Sequence, residues 1–107
     1  MNHLSEFILD ILRDLHRGKE NAITRGVLRE SLRVCGIDLT DRELRAVYAE
    51  LPVIADSHGI YYPATADELR EYKSYLRAKA LPLFIRWQRV ADAHPELIDA
   101  QQKELFP

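Results

Sequence analysis

The chain has 107 residues, room for one domain or one small domain with an extension, and its 47% hydrophobic content is that of a globular rather than a disordered protein. Fifteen basic and seventeen acidic side chains leave a net charge of −2, without the positive excess common among dedicated nucleic-acid binders. Any anionic partner must therefore meet cations concentrated on one face.

Leu4, Phe7, Ile8, Ile11, Leu12 and Leu15 recur at helical spacing and predict a first helix from about Leu4 to Arg17, which Gly18 ends. Lys19-Glu20-Asn21 reads as a loop, and Ala22-Ile23 as a short strand. Thr24 opens a second helix, expected over Arg25 to Val34, with Val27, Leu28 and Leu32 inward. Cys35-Gly36-Ile37 follows as a breaker and an apolar plug, with the Cys35 thiol expected to be half-buried. Thr40 and Glu43 form a Ser/Thr-x-x-Glu capping box that starts a third helix, expected over Asp41 to Leu51 with Leu44, Val47, Tyr48 and Leu51 inward. Pro52 ends it, because the residue before a proline is pushed out of the helical region.

Val53-Ile54-Ala55 and Ile60-Tyr61-Tyr62 are short β-prone runs joined by the turn Asp56-Ser57-His58-Gly59. One of Tyr61 and Tyr62 is expected on the core. Thr65 and Glu68 make a second capping box, opening a long helix to about Ala93. Its apolar positions are Leu69, Tyr72, Leu76, Ala80, Leu83, Phe84, Trp87 and Val90, and Pro82 predicts a kink. A helix of about 28 residues spans about 42 Å, too long for a small domain to cover. Its first half is expected to pack on the domain. Leu76, Leu83, Phe84, Trp87 and Val90 are expected to form a homodimer contact, the alternative being a helix that folds back on the monomer.

The expected architecture is mainly α with a minor β part: a winged helix-turn-helix domain over residues 1–64, the long helix over 65–94 and a flexible tail over 95–107. In such a fold the second helix of the motif enters the DNA major groove. Its outward face here carries Arg42, Arg45, Ala46 and Ala49; arginine is the commonest reader of guanine, and alanine permits close approach. Arg25, Arg29 and Arg33, spaced four apart on the preceding helix, are candidate phosphate contacts. The turn between the strands offers phosphates only His58 among its ionisable cationic groups. Charged helix faces are also commonly just solvated: Arg29 has Glu30 and Asp41 nearby, and Arg42 and Arg45 stand beside Asp41, Glu43 and Glu50.

Other chemistry finds little support. His3, His16, His58 and His94 lack zinc-site spacing, one cysteine rules out an internal disulfide, and no phosphate loop or nucleophile elbow occurs, so neither enzyme activity, metal nor cofactor is expected. No apolar run approaches the about 20 residues of a membrane span, and no secretory signal pattern opens the chain, which points to a cytoplasmic protein.

Gln102-Lys103-Glu104-Leu105-Phe106 resembles the Gln-x-x-Leu-Phe motif by which bacterial replication and repair proteins bind the sliding clamp. The resemblance implies that the Gln102 amide is hydrogen-bonded while Leu105 and Phe106 fill an apolar pocket; the alternative is a helix end whose Leu105 and Phe106 dock on the body. From about Ile23 to Ala93 the chain resembles the small winged-helix proteins of bacteriophages and prophages, through Leu44-Arg45, Gly59-Ile60-Tyr61-Tyr62 and the Thr65–Glu68 cap followed by Tyr72 and Leu76. It departs from them in the longer turn from Cys35 to Thr40 and in Pro52. That resemblance implies a dimer that binds double-stranded DNA in transcription regulation or replication. The alternative is a protein-interaction module that does not bind DNA, using the winged helix, the long helix or the clamp-like tail.

Overall fold

A computed structural model describes residues 2–97. The protein is mainly helical, with one small antiparallel sheet. In order come α1 (His3–Leu15), a 3-10 turn (Lys19–Asn21), α2 (Arg25–Val34), α3 (Asp41–Tyr48), β1 (Ile54–Asp56), β2 (Gly59–Tyr61) and α4 (Ala66–Ala93). The chain divides into two compact units, one ending at Tyr72 and the other starting at Lys73.

Each helix of the first unit begins at a side chain that satisfies an otherwise unpaired N–H of the first turn. Asn2 Oδ1 accepts from Ser5 N–H at 2.8 Å and Thr24 Oγ1 from Val27 N–H at 3.3 Å. Thr40 and Glu43 exchange both bonds of their capping box at 3.1 Å, and the Thr40 backbone bond holds the Glu43 carboxyl below its ordinary pKa. After α2, Gly36 takes a positive φ of 87°. Ile37 N–H then bonds Leu32 C=O at 2.9 Å, and Gly36 N–H bonds Arg33 C=O at 3.0 Å. That pair is a Schellman stop. It turns Ile37 back onto the core, whereas Cys35 is exposed rather than half-buried.

Ile8, Leu12, Ile23, Leu28, Leu32, Leu44, Leu51 and Ile60 form the core. Several expected elements end early. α1 stops at Leu15 instead of Arg17, because His16 C=O accepts Tyr62 N–H at 2.8 Å and the chain leaves helical geometry to pair with the hairpin. α3 stops at Tyr48 instead of Leu51: the next bonds are tight three-residue turns, Glu50 N–H to Val47 C=O and Leu51 N–H to Tyr48 C=O, ahead of Pro52. Leu51 is nevertheless buried, carried inward by that turn. Val27, expected inward, is 56% exposed, since Leu28 and Leu32 alone complete the buried side of α2.

The strands pair Ile54 with Tyr61, Ala55 with Ile60 and Asp56 with Gly59. The other edge of β2 is also occupied. Ile23 and Ile60 exchange backbone bonds at 3.0 and 2.8 Å, and Gly18 N–H reaches Tyr62 C=O at 2.8 Å. Opposed residues share a face of the sheet, so Ile60 faces the core while Ile54 and Tyr61 are buried on the other side. Tyr61, completely inaccessible, is the tyrosine of the pair that packs inside; Tyr62 is half-buried beneath the Arg17 guanidinium, 5.2 Å from its ring centroid.

The start of α4 is fastened by a charge, and of the expected apolar stripe Tyr72 is half-buried there. Leu69 is 55% exposed, and the buried residue of the helix is Glu68. Within the second unit α4 runs on to Ala93 with Pro82 inside it, and Phe84 and Trp87 stack in a tilted pair with centroids 5.6 Å apart.

Candidate nucleic-acid interface

α3 buries Leu44, half-buries Val47 and Tyr48, and leaves Arg42, Arg45, Ala46 and, at its C-cap, Ala49 exposed. That division follows from the spacing of the apolar positions on an eight-residue helix. Among the described residues neither Arg42 nor Arg45 has an ion-pair or hydrogen-bond partner. Both side chains lie three apart on one helical face, with the two alanine methyls beside them. The face presents two guanidiniums outside any described ion pair, and the alanines beside them keep it sterically low.

The arginines of α2 are differently placed. Arg25 Nε lies 3.6 Å from Asp41 Oδ1 and Arg29 Nη1 lies 3.8 Å from the same oxygen, while Arg29 Nε donates to Leu39 C=O at 2.6 Å. These two side chains tie α2 to the start of α3. Asp41, in the first turn of α3, thus serves the helix N-terminus and both guanidiniums. Arg33 pairs with Glu30 at 2.6 Å, which raises its already high pKa, and stands apart from the Asp41 cluster. So Arg25 and Arg29 converge on one carboxylate, Arg42 and Arg45 share the free face of α3, and Arg33 joins neither.

His58 sits in the hairpin turn, where the Asp56 carboxylate organises the loop. Asp56 Oδ1 accepts from His58 N–H at 2.8 Å and faces His58 Nδ1 at 3.3 Å; Oδ2 accepts from Tyr61 Oη–H at 3.2 Å. Burial, with Asp56 alongside, pushes the Tyr61 hydroxyl up to about 12. The imidazole itself is half exposed.

No family model, no curated protein and no solved structure matches the chain. Leu76, Leu83, Phe84, Trp87 and Val90 of α4 are all 46–61% exposed. Gln102, Leu105 and Phe106, the clamp-type residues, lie outside the described residues. No group of three or more His, Cys, Asp or Glu side chains that could hold a metal occurs among the described residues, and no helix among them is long and apolar enough to cross a membrane.

Asp56 organises the hairpin turn and Glu68 the start of α4, and neither role is evident in the sequence. Asp56 reads there only as a turn former. Glu68 reads only as a capping residue, yet its Oε1 accepts Ala64 N–H at 2.7 Å and Thr65 N–H at 3.3 Å while Oε2 accepts Lys19 N–H at 2.8 Å. The Thr65/Glu68 spacing signals the first set of bonds. Nothing local signals Lys19.

Proposed function

We propose that the chain is a winged-helix protein that binds double-stranded DNA through α3, with β1 and β2 as the wing and α4 joining two copies, in transcription regulation or replication. The observation that carries this reading is the exposed, unpaired Arg42/Arg45 face flanked by Ala46 and Ala49. A helix inserted in the major groove needs donors that reach base edges and small residues that let its backbone approach. The order of α2, α3 and a hairpin whose second strand also pairs with Ile23 supports the same reading. Arg25 and Arg29 then act chiefly as braces for α3, and phosphate contact falls mainly to α3 and to backbone groups.

Fluorescence anisotropy of a labelled mixed-sequence duplex, titrated at ~50 and ~200 mM salt, tests it. With about four cations engaged per dimer, affinity is expected to fall roughly a hundredfold between the two conditions. No binding at the lower salt overturns the proposal.

A second reading is favoured by one specific observation, the exposure of Phe84 and Trp87 at 56% and 52%. It makes the chain a protein-interaction module without DNA affinity. Apolar association responds little to salt at these concentrations, so the same titration separates the two.

A further inference from the structure

Of the nine lysines and arginines up to Tyr72, six stand in described ion pairs. α4 differs. From Tyr72 to Ala91 it carries five cations (Lys73, Arg77, Lys79, Arg86 and Arg89) and no carboxylate. All five are exposed, and none enters a described ion pair. The remaining residues hold ten cations and seventeen carboxylates. The positive charge of a chain that is acidic as a whole is therefore gathered in this stretch. Lys73 and Arg77 stand four apart and Arg86 and Arg89 three apart, spacings at which like charges destabilise a helix. An anion seated beside them relieves that repulsion.

Three of the five share one side. At 3.6 residues per turn, Arg89, Arg86 and Lys79 fall within about 80° of the helix circumference. The positions between them are Pro82 and Tyr75, and the Lys79 Nζ lies 4.8 Å from the Tyr75 ring centroid. Leu76, Leu83 and Trp87 lie outside this arc on one side, and Leu81 and Ile85 on the other. From Lys79 to Arg89 the arc covers about 15 Å, a length along which duplex DNA offers about nine phosphates.

We propose that the Lys79/Arg86/Arg89 side of α4 is a second DNA contact, one that holds the phosphate backbone of a duplex without reading its sequence. The inference rests on the DNA part of the reading above and extends it from α3 to α4. Phosphate binding asks for cations on a polar side, which this arc supplies. An anionic bilayer would instead take the aliphatic and aromatic side chains of α4, because a helix lying in the lipid interface buries them. Three further cations per copy make the hundredfold fall counted above for four cations a lower bound.

Anisotropy of a labelled mixed-sequence duplex over ~50–200 mM salt compares the full chain with Lys79→Gln/Arg86→Gln/Arg89→Gln. Glutamine removes the charge at similar helix propensity, and circular dichroism checks that α4 persists. The salt slope is expected to flatten by about two to three per copy, about 0.9 for each phosphate no longer neutralised. Affinity at ~50 mM salt is expected to fall at least about tenfold, equally for duplexes of different sequence. Arg13→Gln, which removes a cation already paired with Asp10, is expected to leave the slope within about half a unit. An unchanged slope in the triple variant overturns the α4 contact and leaves the α3 reading standing. A slope that flattens there but not in Arg42→Ala/Arg45→Ala supports α4 and removes α3 from the contact. A chain that binds no duplex at ~50 mM salt overturns both. Co-sedimentation with vesicles of phosphatidylglycerol and phosphatidylcholine is the parallel arm. Vesicle binding that the triple substitution abolishes while the duplex slope stays unchanged assigns the cations to lipid and overturns the proposal.

Discussion

The Glu68 carboxylate accepts the Lys19 backbone N–H at 2.8 Å, joining two points 49 residues apart. Its other oxygen accepts two N–H groups at the start of α4. These backbone bonds, Ala64 first and Lys19 next, hold the Glu68 carboxyl below its ordinary pKa against the opposing effect of burial. The 3-10 turn, the end of the hairpin and the first turn of α4 are thus gathered on one side chain.

Glu68→Ala leaves three backbone donors without this acceptor in a buried place and is expected to cost about 2–4 kcal/mol, a fall in melting temperature of roughly 10 °C or more. The pH dependence has a definite sign. A carboxyl with a depressed folded-state pKa contributes stability that is complete above its unfolded value, about 4.3. That stability is lost as pH falls through the lower folded value. Thermal melts between pH 7 and pH 2 are expected to show this acid loss in the wild type and a flatter profile in Glu68→Gln. Equal slopes would remove Glu68 from the acid response.

Gly59 carries the second structural prediction. Its φ is 121°, and a Cβ built there would stand 2.7 Å from Ile23 C=O, the acceptor of the Ile60 N–H bond. A methyl group must push Ile23 off β2, and the backbone is strained for any other residue besides. Gly59→Ala is expected to destabilise by about 1–3 kcal/mol, measured by urea denaturation, with Gly26→Ala as a contrast because nothing lies within 4 Å of the Cβ position there.

Tyr61 gives the alkaline counterpart. Its hydroxyl is raised to about 12 by burial first and Asp56 second. A raised folded-state value means stability is fully present below the unfolded value, about 10, and is lost as pH rises from there through about 12. Ultraviolet difference titration is expected to show one tyrosine ionising late, and Tyr61→Phe to remove that late component. A wild-type titration without that late component counts against the burial argument.

Much of this framework was legible from short-range chemistry. The helix starts at Thr24, Thr40 and Thr65 and the stop at Gly36 are local devices, and each appears where its residues predict it. The residues that depart are those whose neighbours are distant in sequence. His16 leaves α1 for Tyr62, and Glu68 turns inward because Lys19 presents an N–H to it. The spacing of α2 placed Arg25 and Arg29 on one face, but could not reveal that Asp41 would sit within 4 Å of both. For the α3 surface the reverse held: the apolar spacing of Leu44, Val47 and Tyr48 was enough to leave Arg42 and Arg45 outside.

Those two arginines give the direct functional test. Neither takes part in a described ion pair, so Arg42→Ala/Arg45→Ala is expected to keep its melting temperature within about 2 °C, as surface substitutions away from buried features do. Affinity for duplex DNA is expected to fall at least tenfold, and the salt slope to flatten by about one for each phosphate that is no longer neutralised. Anisotropy and a melt on the same preparation check both halves. Unchanged affinity and slope would falsify a role for α3 in DNA binding.

Asp41 opposes stability and binding to each other. Its carboxylate supports the first turn of α3 and lies near Arg25 and Arg29. Asp41→Asn removes that charge, and because all three side chains are at least a third exposed the destabilisation is expected to be small, about 0.5–1 kcal/mol. The same change removes the negative charge beside Arg25 and Arg29 at the start of α3, while Arg29 keeps its bond to Leu39 C=O. On the DNA reading, affinity for a duplex at ~50 mM salt is expected to rise severalfold, with a steeper salt slope. On the protein-module reading only the drop in stability remains. A variant that is slightly less stable and binds DNA more tightly is an outcome that simple damage to the fold does not produce, which makes this substitution a sharper test than deleting any arginine.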